Sequence, residues 1–451
     1  MMLHDMSERR RLALRVVGGG FCVLLVVYSI THFIHTGMEG RAAMRPQCWG
    51  DFSLAFPAAF VKRYNPALFE QFTQTNTGIR DPERDEGGWW YGPVLHGLTL
   101  PLTVLSSRAT ACLLWKLANL TFLTVSVVLL FRVLFASIRR ARWAFAAVFT
   151  ALWLNAYPLL EAFRQANIEI FELCLLMVAY RCFRAIATTA TPARITPTEL
   201  WGGVCLGTAI MTKFLPAISL PYLLIKRRWK MLVTAVLTAG VIAVATQVTL
   251  DWRKSLTMQH LIVTRFPTRT HAHVQSLSGL VSRWFAEIPA GGLTRTVNPV
   301  IPAERQRLAV RVVRTSVVVA LVAFGLLFWL RRASAAIELE WSLLLAFMIF
   351  VPPWNEDYYQ MFLLVPLSLL LTYAWNAQRH RLGWWLLLAA CYLSTGSIIV
   401  PSSWADAALG GEPFGFHRLL QNLSIPTLGN LAILCWCGVL YWRSEPRGLR
   451  L

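Results

Sequence analysis

Cys48-Trp49-Gly50-Asp51-Phe52 sets one carboxylate among aromatic and small residues, directly after the first long apolar run of the chain. A carboxylate in such a loop can take the proton from an attacking hydroxyl, which is general-base chemistry. It can equally cap the amphipathic stretch that begins near Ser53. Lys213, Arg265, Arg269, His271 and His273 are cations able to stabilise negative charge that develops on a departing group. For Lys213 the competing role is a structural lysine that snorkels to the membrane surface. Gln165, Asn167 and Gln275 offer neutral hydrogen bonds, with helix capping as the other role of Asn167. Glu356 and Asp357 form a second acidic pair that could orient a bound hydroxyl or act as the base. Tyr91, after Trp89 and Trp90, suits a ligand subsite or the aromatic belt at a membrane interface. Asp51, Glu356, Asp357, His271 and His273 could together ligate a metal, but no spacing requires it, so neither metal nor cofactor is expected.

These residues lie in a chain that is mostly membrane. Of 451 residues 56% are hydrophobic, 19 are Trp and the mean hydropathy is +0.50. The apolar runs approach the roughly 20 residues that span a bilayer core. The net charge of +20 sits in short clusters between apolar runs, which is a topology signal and excludes a nucleic-acid face. Eight of the nine cysteines lie in or beside apolar runs, with no C-x-x-C spacing, and read as small packing residues. Cys48 stands alone in a loop, so a free thiol is expected there and no disulfide is implied.

The basic clusters order the crossings. Arg9, Arg10, Arg11 and Arg15 precede the first run and no small-residue cleavage site follows it, so a retained helix with a cytoplasmic start is expected. Residues 35–108 carry seven basic and seven acidic residues, without the basic excess of a cytoplasmic loop. They read as a first extracytoplasmic loop with juxtamembrane helices; Gly92, Pro93 and Pro101 break any full crossing there. Residues 199–225 begin and end on basic clusters of one side, which requires a helical hairpin. Its break is expected at Pro216, with arms of about 13 residues, or about 20 Å each. Residues 251–307 form a second large outer loop, basic against the positive-inside trend, whose charges call for an anionic partner such as a lipid phosphate. The whole of 1–451 is one integral all-α domain of about twelve passes, hairpin arms included. Both termini are expected in the cytoplasm, and the polar residues named above on the extracytoplasmic face of a bacterial-type plasma membrane.

The order of short motifs resembles the GT-C glycosyltransferases, and most closely family 87, the polyprenyl-phosphate-mannose-dependent alpha-mannosyltransferases. The matching pieces begin with Gly50-Asp51-Phe52 and the amphipathic stretch to Tyr64. Trp90-Tyr91-Gly92-Pro93 with Leu100-Pro101-Leu102 resembles the family's aromatic-Pro-Pro element, and Arg164-Gln165-Ala166-Asn167 its Gly-Gln-x-Asn turn. Gly207 through Lys213-Phe214-Leu215-Pro216 to Arg227-Arg228-Trp229 resembles its Lys-x-x-Pro hairpin, and Val274 to Gly279 its Asn-Gln-Ser-Leu element. Gly92 replaces a usual Pro, Arg164 a Gly and Val274 an Asn, and Glu356-Asp357 stands near where a His before Tyr is usual.

The resemblance implies transfer of a hexose, mannose, from a polyprenyl-phosphate carrier to a lipid or glycan hydroxyl. Asp51 would be the base, Lys213 the first choice for the leaving phosphate, and Gln165 and Asn167 contacts to sugar hydroxyls. Two readings compete: a lipid or polysaccharide flippase or transporter, which would need a polar track through the full membrane depth, and a glycan ligase using a diphosphate donor. No internal repeat supports the transporter.

Overall fold

The computed structural model describes residues 2–39, 58–73, 93–138, 140–188, 196–247, 268, 270–271, 273–287, 299–332, 336–353, 355–377, 381–397, 407 and 415–444. Asp51, Tyr91, Arg265 and Arg269 lie outside them.

The described chain is helical. From the N-terminus run α1 (Met2–Phe33), α2 (Ala58–Tyr64), α3 (Pro66–Thr73), α4 (Pro93–Thr99), α5 (Arg108–Phe135), α6 (Arg142–Leu154), α7 (Tyr157–Arg164), α8 (Glu169–Thr188) and α9 (Pro197–Lys213). After a 3-10 turn at Leu215–Ile218 come α10 (Ser219–Ile225), α11 (Trp229–Gln247), α12 (Leu277–Trp284), α13 (Ala303–Leu330) and α14 (Ile337–Phe350). A 3-10 segment, Asp357–Leu363, then leads into α15 (Leu364–Asn376), followed by α16 (Arg381–Ser394), α17 (Gly415–Asn422) and α18 (Ile425–Arg443). Among the described residues five helices are long and apolar enough to cross a membrane, and six when α6 and α7, bent by 51°, count as one span. Beside them stand four shorter apolar helices, Val94–Val104, Leu215–Ile225, Trp229–Ala245 and Leu382–Ser394.

Side-chain contacts fix how the helices run. Gly202 of α9 faces Cys182 of α8, and Lys213, at the far end of α9, binds Glu169, at the start of α8, so the two are antiparallel. Gly203 packs on Met231 and Thr234, and Gly207 on Ala235 and Thr238, so α9 and α11 are parallel. A Cβ on Gly207 would lie 2.4 Å from the Ala235 carbonyl oxygen; this Gly-x-x-x-Gly stripe is what lets two backbones approach so closely.

Parallel α9 and α11 require the chain between them to return, as a hairpin does. The arms are unequal. The Thr196–Glu199 capping box starts α9 early, giving a first arm of 17 residues. The return arm is a four-residue 3-10 turn and seven residues of α10, about 18 Å in rise. The break is at Phe214, whose φ of 59° turns the chain, and not at Pro216, which sits inside the 3-10 turn where a missing N–H does no harm.

Glu340 clamps the return arm at the end of the bundle away from Lys213. Its carboxylate is 1% exposed and accepts from Lys226, Tyr222 (2.8 Å) and Tyr441 (2.9 Å), joining α10, α14 and α18.

The juxtamembrane helices also form as expected. Val61, Leu68, Leu95, Ala111, Cys112, Trp115, Ala166 and Ile168 make a small apolar core separate from that of the main bundle. Asn65 Nδ2 donates to the Leu105 carbonyl (2.7 Å), and the Gln71 side-chain oxygen accepts from the Arg108 N–H (3.3 Å). The α2–α3 pair is thereby latched to the head of α5. One sequence expectation fails here: Cys112 is disulfide-bonded and not a packing thiol.

Candidate functional site

The turn Arg164-Gln165-Ala166-Asn167 joins α7 to α8, with Ala166 in the left-handed region at φ 57°. Its backbone is held from α5: Trp115 Nε1 donates to the Ala166 carbonyl (2.8 Å) and Asn119 Nδ2 to the Asn167 carbonyl (3.2 Å). Glu161 Oε1 accepts from Arg164 Nη2 (2.6 Å) and from Gln165 Nε2. Gln165 is thus half-buried beside a carboxylate and able to face a ligand, whereas Asn167 is fully buried.

Lys213 arrives at the same end on the tip of α9. Its ammonium pairs with Glu169, donates to the Tyr359 hydroxyl (2.9 Å) and lies over the Tyr358 and Tyr359 rings at 5.6 and 4.8 Å. Side-chain exposure is 6% for Lys213 and 0% for Glu169. Its charge is matched inside the protein by Glu169, because a lysine at this depth needs a partner.

Asp357 opens the segment before α15 and carries the most connected carboxylate at this end. Oδ1 accepts from the Tyr358 N–H (3.0 Å) and Oδ2 from Gln421 Nε2 of α17 (2.6 Å). His273 Nδ1 stands 3.5 Å from Oδ2, and the Tyr157 hydroxyl lies within electrostatic reach of the same carboxylate. Tyr157 in turn stacks on His417, centroids 3.8 Å apart. Burial alone would lower the His273 imidazole, but the hydrogen bond and charge of Asp357, with Glu356 and Glu161 behind it, raise its pKa above the ordinary value. His271 stacks on His273 at 4.9 Å. The His273 side chain remains 41% exposed, so it can meet a ligand.

Gln275 has another task. Its N–H donates to the Asn355 carbonyl (2.6 Å), its carbonyl accepts from Gln360 (3.1 Å), and its amide binds the Gln421 carbonyl (3.0 Å) and the Thr427 hydroxyl (3.1 Å). With 0% exposure, it ties the second outer loop to the starts of α15 and α18. Glu356 pairs through its backbone with Val274 in an antiparallel bridge. Arg283 completes the loop: Nη1 donates to the His271 (3.2 Å) and Val274 (2.9 Å) carbonyls and Nε to the Ser424 hydroxyl (2.6 Å). Burial pulls its pKa down to about 10.

A polar belt therefore crosses one end of the bundle, from His271 and His273 through Asp357, Tyr157 and Glu161 to Arg164. Beyond it lies Lys116, a buried lysine of α5 within electrostatic reach of Arg164. Tyr157, Lys116, Glu169, Arg283, Tyr359, His417 and Gln421 belong to none of the motifs picked out from sequence. Lys116 and Glu169 had a usable signal, since charges in apolar runs need partners; a lone Tyr or Gln does not. Among the described residues no group of three or more His, Cys, Asp or Glu side chains could hold a metal ion.

An all-α bundle with apolar membrane-length helices and with carboxylates, amides and imidazoles gathered at one end is an architecture suited to chemistry on a membrane-borne substrate. The sequence profile of glycosyltransferase family 87 matches residues 89–353, more than half of the chain, and the chain belongs to that family. The matched region begins after Asp51. The chain is also similar to the crystal structure of ArnT from Cupriavidus metallidurans bound to undecaprenyl phosphate. Identity is 14% and the TM-score 0.42, over 93% of this chain and 78% of that one. No curated protein sequence matches the chain.

Proposed function

We propose that this glycosyltransferase moves a hexose, mannose, from a polyprenyl-phosphate carrier to a lipid or glycan hydroxyl at the extracytoplasmic face. The observation that carries the reading is the polar belt, gathered at the end of the bundle that holds the Lys213 hairpin tip, the Arg164–Asn167 turn and Asp357. Family membership supports it, and the similar ArnT structure has undecaprenyl phosphate bound.

In this reading Asp51 takes the proton of the acceptor hydroxyl as its oxygen attacks the anomeric carbon, with inversion. The leaving phosphate gains charge as the glycosidic bond breaks, and cationic donors already in place stabilise it without reorganisation. His273, held by Asp357 and open on its other side, is suited to that task, together with His271, Arg265 and Arg269 of the same loop. Gln165 offers its amide to sugar hydroxyls and Tyr91 an aromatic face. Asp357 positions His273, and Lys213 with Glu169 fixes the hairpin tip on which Tyr358 and Tyr359 rest. The reaction needs no metal, since the base and the cations suffice.

Purified protein in detergent should transfer label from polyprenyl-phosphate-mannose to a membrane lipid extract, and Asp51→Asn should abolish transfer while the protein stays folded. Full activity in Asp51→Asn would remove the base assignment. Failure with every polyprenyl-phosphate sugar tried would remove the donor class.

A further inference from the structure

Helix α13 is 28 residues long and apolar enough to cross a membrane, yet its first half carries Arg305, Arg307, Arg311 and Arg314, all exposed. Arg305 reaches Glu287 at 3.8 Å. Arg307, Arg311 and Arg314 pair with no carboxylate among the described residues. At about 100° per residue these three fall within an arc of about 60° around the helix. A different face meets the bundle: Ala309 and Val313 are buried on it, and Val317 and Phe324 pack against Phe347 and Phe350 of α14. We propose that the arginine face binds the phosphates of anionic phospholipids in the headgroup layer, and so fixes the depth at which the polar belt sits in the membrane.

The heights agree. Thr315–Leu330 holds no charged residue and rises about 24 Å, most of a hydrocarbon core of about 30 Å. Arg314 therefore stands at the edge of that core, where a long side chain can carry its charge to the headgroups. Arg311 and Arg307 follow about 4.5 and 10 Å further along the axis. The belt lies at the height where this ladder begins. Val317, one turn from Arg314, packs in one cluster with Leu277 at the start of α12. Two residues before Leu277, Gln275 binds the Gln421 carbonyl, and Gln421 Nε2 donates to Asp357.

Charge selects the partner. The far end of α13 carries Arg331 and Arg332, whose carbonyls accept from Lys226, next in sequence to Arg227 and Arg228. That cluster supplies the topology signal, and a second basic face at the opposite end of the same helix works against it. A negative headgroup layer offsets this cost, since each basic residue near such a surface is attracted to it. Donors that hold a single phosphate converge on one point, whereas these are spread over about 10 Å of exposed helix, which suits neighbouring headgroups. Glu304, in the first turn, is the one acidic residue of α13 and leaves the face positive. Binding here does not depend on which sugar or donor the enzyme uses.

The probes are phosphatidylglycerol and phosphatidylcholine with the same acyl chains, added to the purified protein in detergent and counted as adducts by native mass spectrometry. Three arginines at about fivefold each should favour phosphatidylglycerol by up to about 100-fold. Salt at about 1 M, where the Debye length is about 3 Å, should remove most of that preference. Arg307→Gln/Arg311→Gln/Arg314→Gln should bind both lipids alike, and the corresponding triple Lys variant should keep the preference. Equal binding of the two lipids by the wild type, or an undiminished preference in the triple Gln variant, would overturn the proposal. Complete displacement of phosphatidylglycerol by undecaprenyl phosphate at equal concentration would do so too, making the face a station for a lipid carrier. Depth is read in nanodiscs of each lipid: amide exchange over residues 303–314 should be slower in phosphatidylglycerol for the wild type only, and equal exchange would remove the depth role. If the triple Gln variant fails to fold, the single variants decide, each expected to lose about fivefold.

Discussion

Lys213 offers the sharpest separation between holding the fold and holding a ligand. Its ammonium and the Glu169 carboxylate are 6% and 0% exposed, so removing either partner leaves the other charged in a dry site. Stranding one member of a buried pair costs about 3–5 kcal/mol. Lys213→Met and Glu169→Leu should each destabilise by that amount. In Lys213→Met/Glu169→Leu neither member of the pair remains charged, and the Tyr359 hydroxyl loses its bond from Lys213, about 1 kcal/mol. The double variant should therefore fall short of the sum of the singles by roughly 3 kcal/mol or more, a coupling energy readable from a double-mutant cycle. The assay is unfolding in detergent by titration with a denaturing detergent, followed by tryptophan fluorescence, with transferase activity measured on the same samples. Activity should return with stability in the double variant. Additive single effects would refute the buried pair as a unit. Stability restored without activity would return Lys213 to the donor phosphate.

Two further outcomes follow from the same geometry. His273 is held above its ordinary pKa by Asp357, with Glu356, Glu161 and His271 also facing it, so activity should decline as pH rises through that raised value. The His273–Asp357 contribution to stability is fully present below about 6.5, the unfolded value, and is lost over the same rise. His273→Gln should remove the alkaline limb of the kcat profile; an unchanged limb would exclude His273 from the transfer step. At Gly207, where a Cβ would lie 2.4 Å from a backbone oxygen and 2.8 Å from Thr238 Cβ, Gly207→Ala must push α9 from α11. That should cost about 1–3 kcal/mol, and an unchanged melting temperature would contradict the close packing.

Much of the bundle was legible in the sequence because a bilayer imposes its own rules. Runs of about 20 apolar residues must be helices, and basic clusters mark one side of them. From those two facts came the return of the chain between 199 and 225, which the parallel packing of α9 and α11 bears out. The Gly203 and Gly207 stripe was present as a pattern, but only packing showed which helix it meets. The break moved from Pro216 to Phe214 because a proline announces itself by type, whereas an αL residue follows from the turn that tertiary contacts require.

The candidate residues divide in a similar way. Sequence alone could identify polar groups out of place in a membrane chain, including Lys213, Gln165, Gln275, His273 and Asp357, and the resemblance could order them. It could not give their partners, since a partner such as Glu169 for Lys213, or Gln421 for Asp357, lies 44 or 64 residues away. Only the folded chain decided that Lys213 is neutralised inside, that Gln275 joins three segments, and that Cys112 is bonded and not free. The physical reason is that type and spacing report on local conformation and depth, whereas the state of a charge or a thiol depends on what the fold brings within a few ångströms of it.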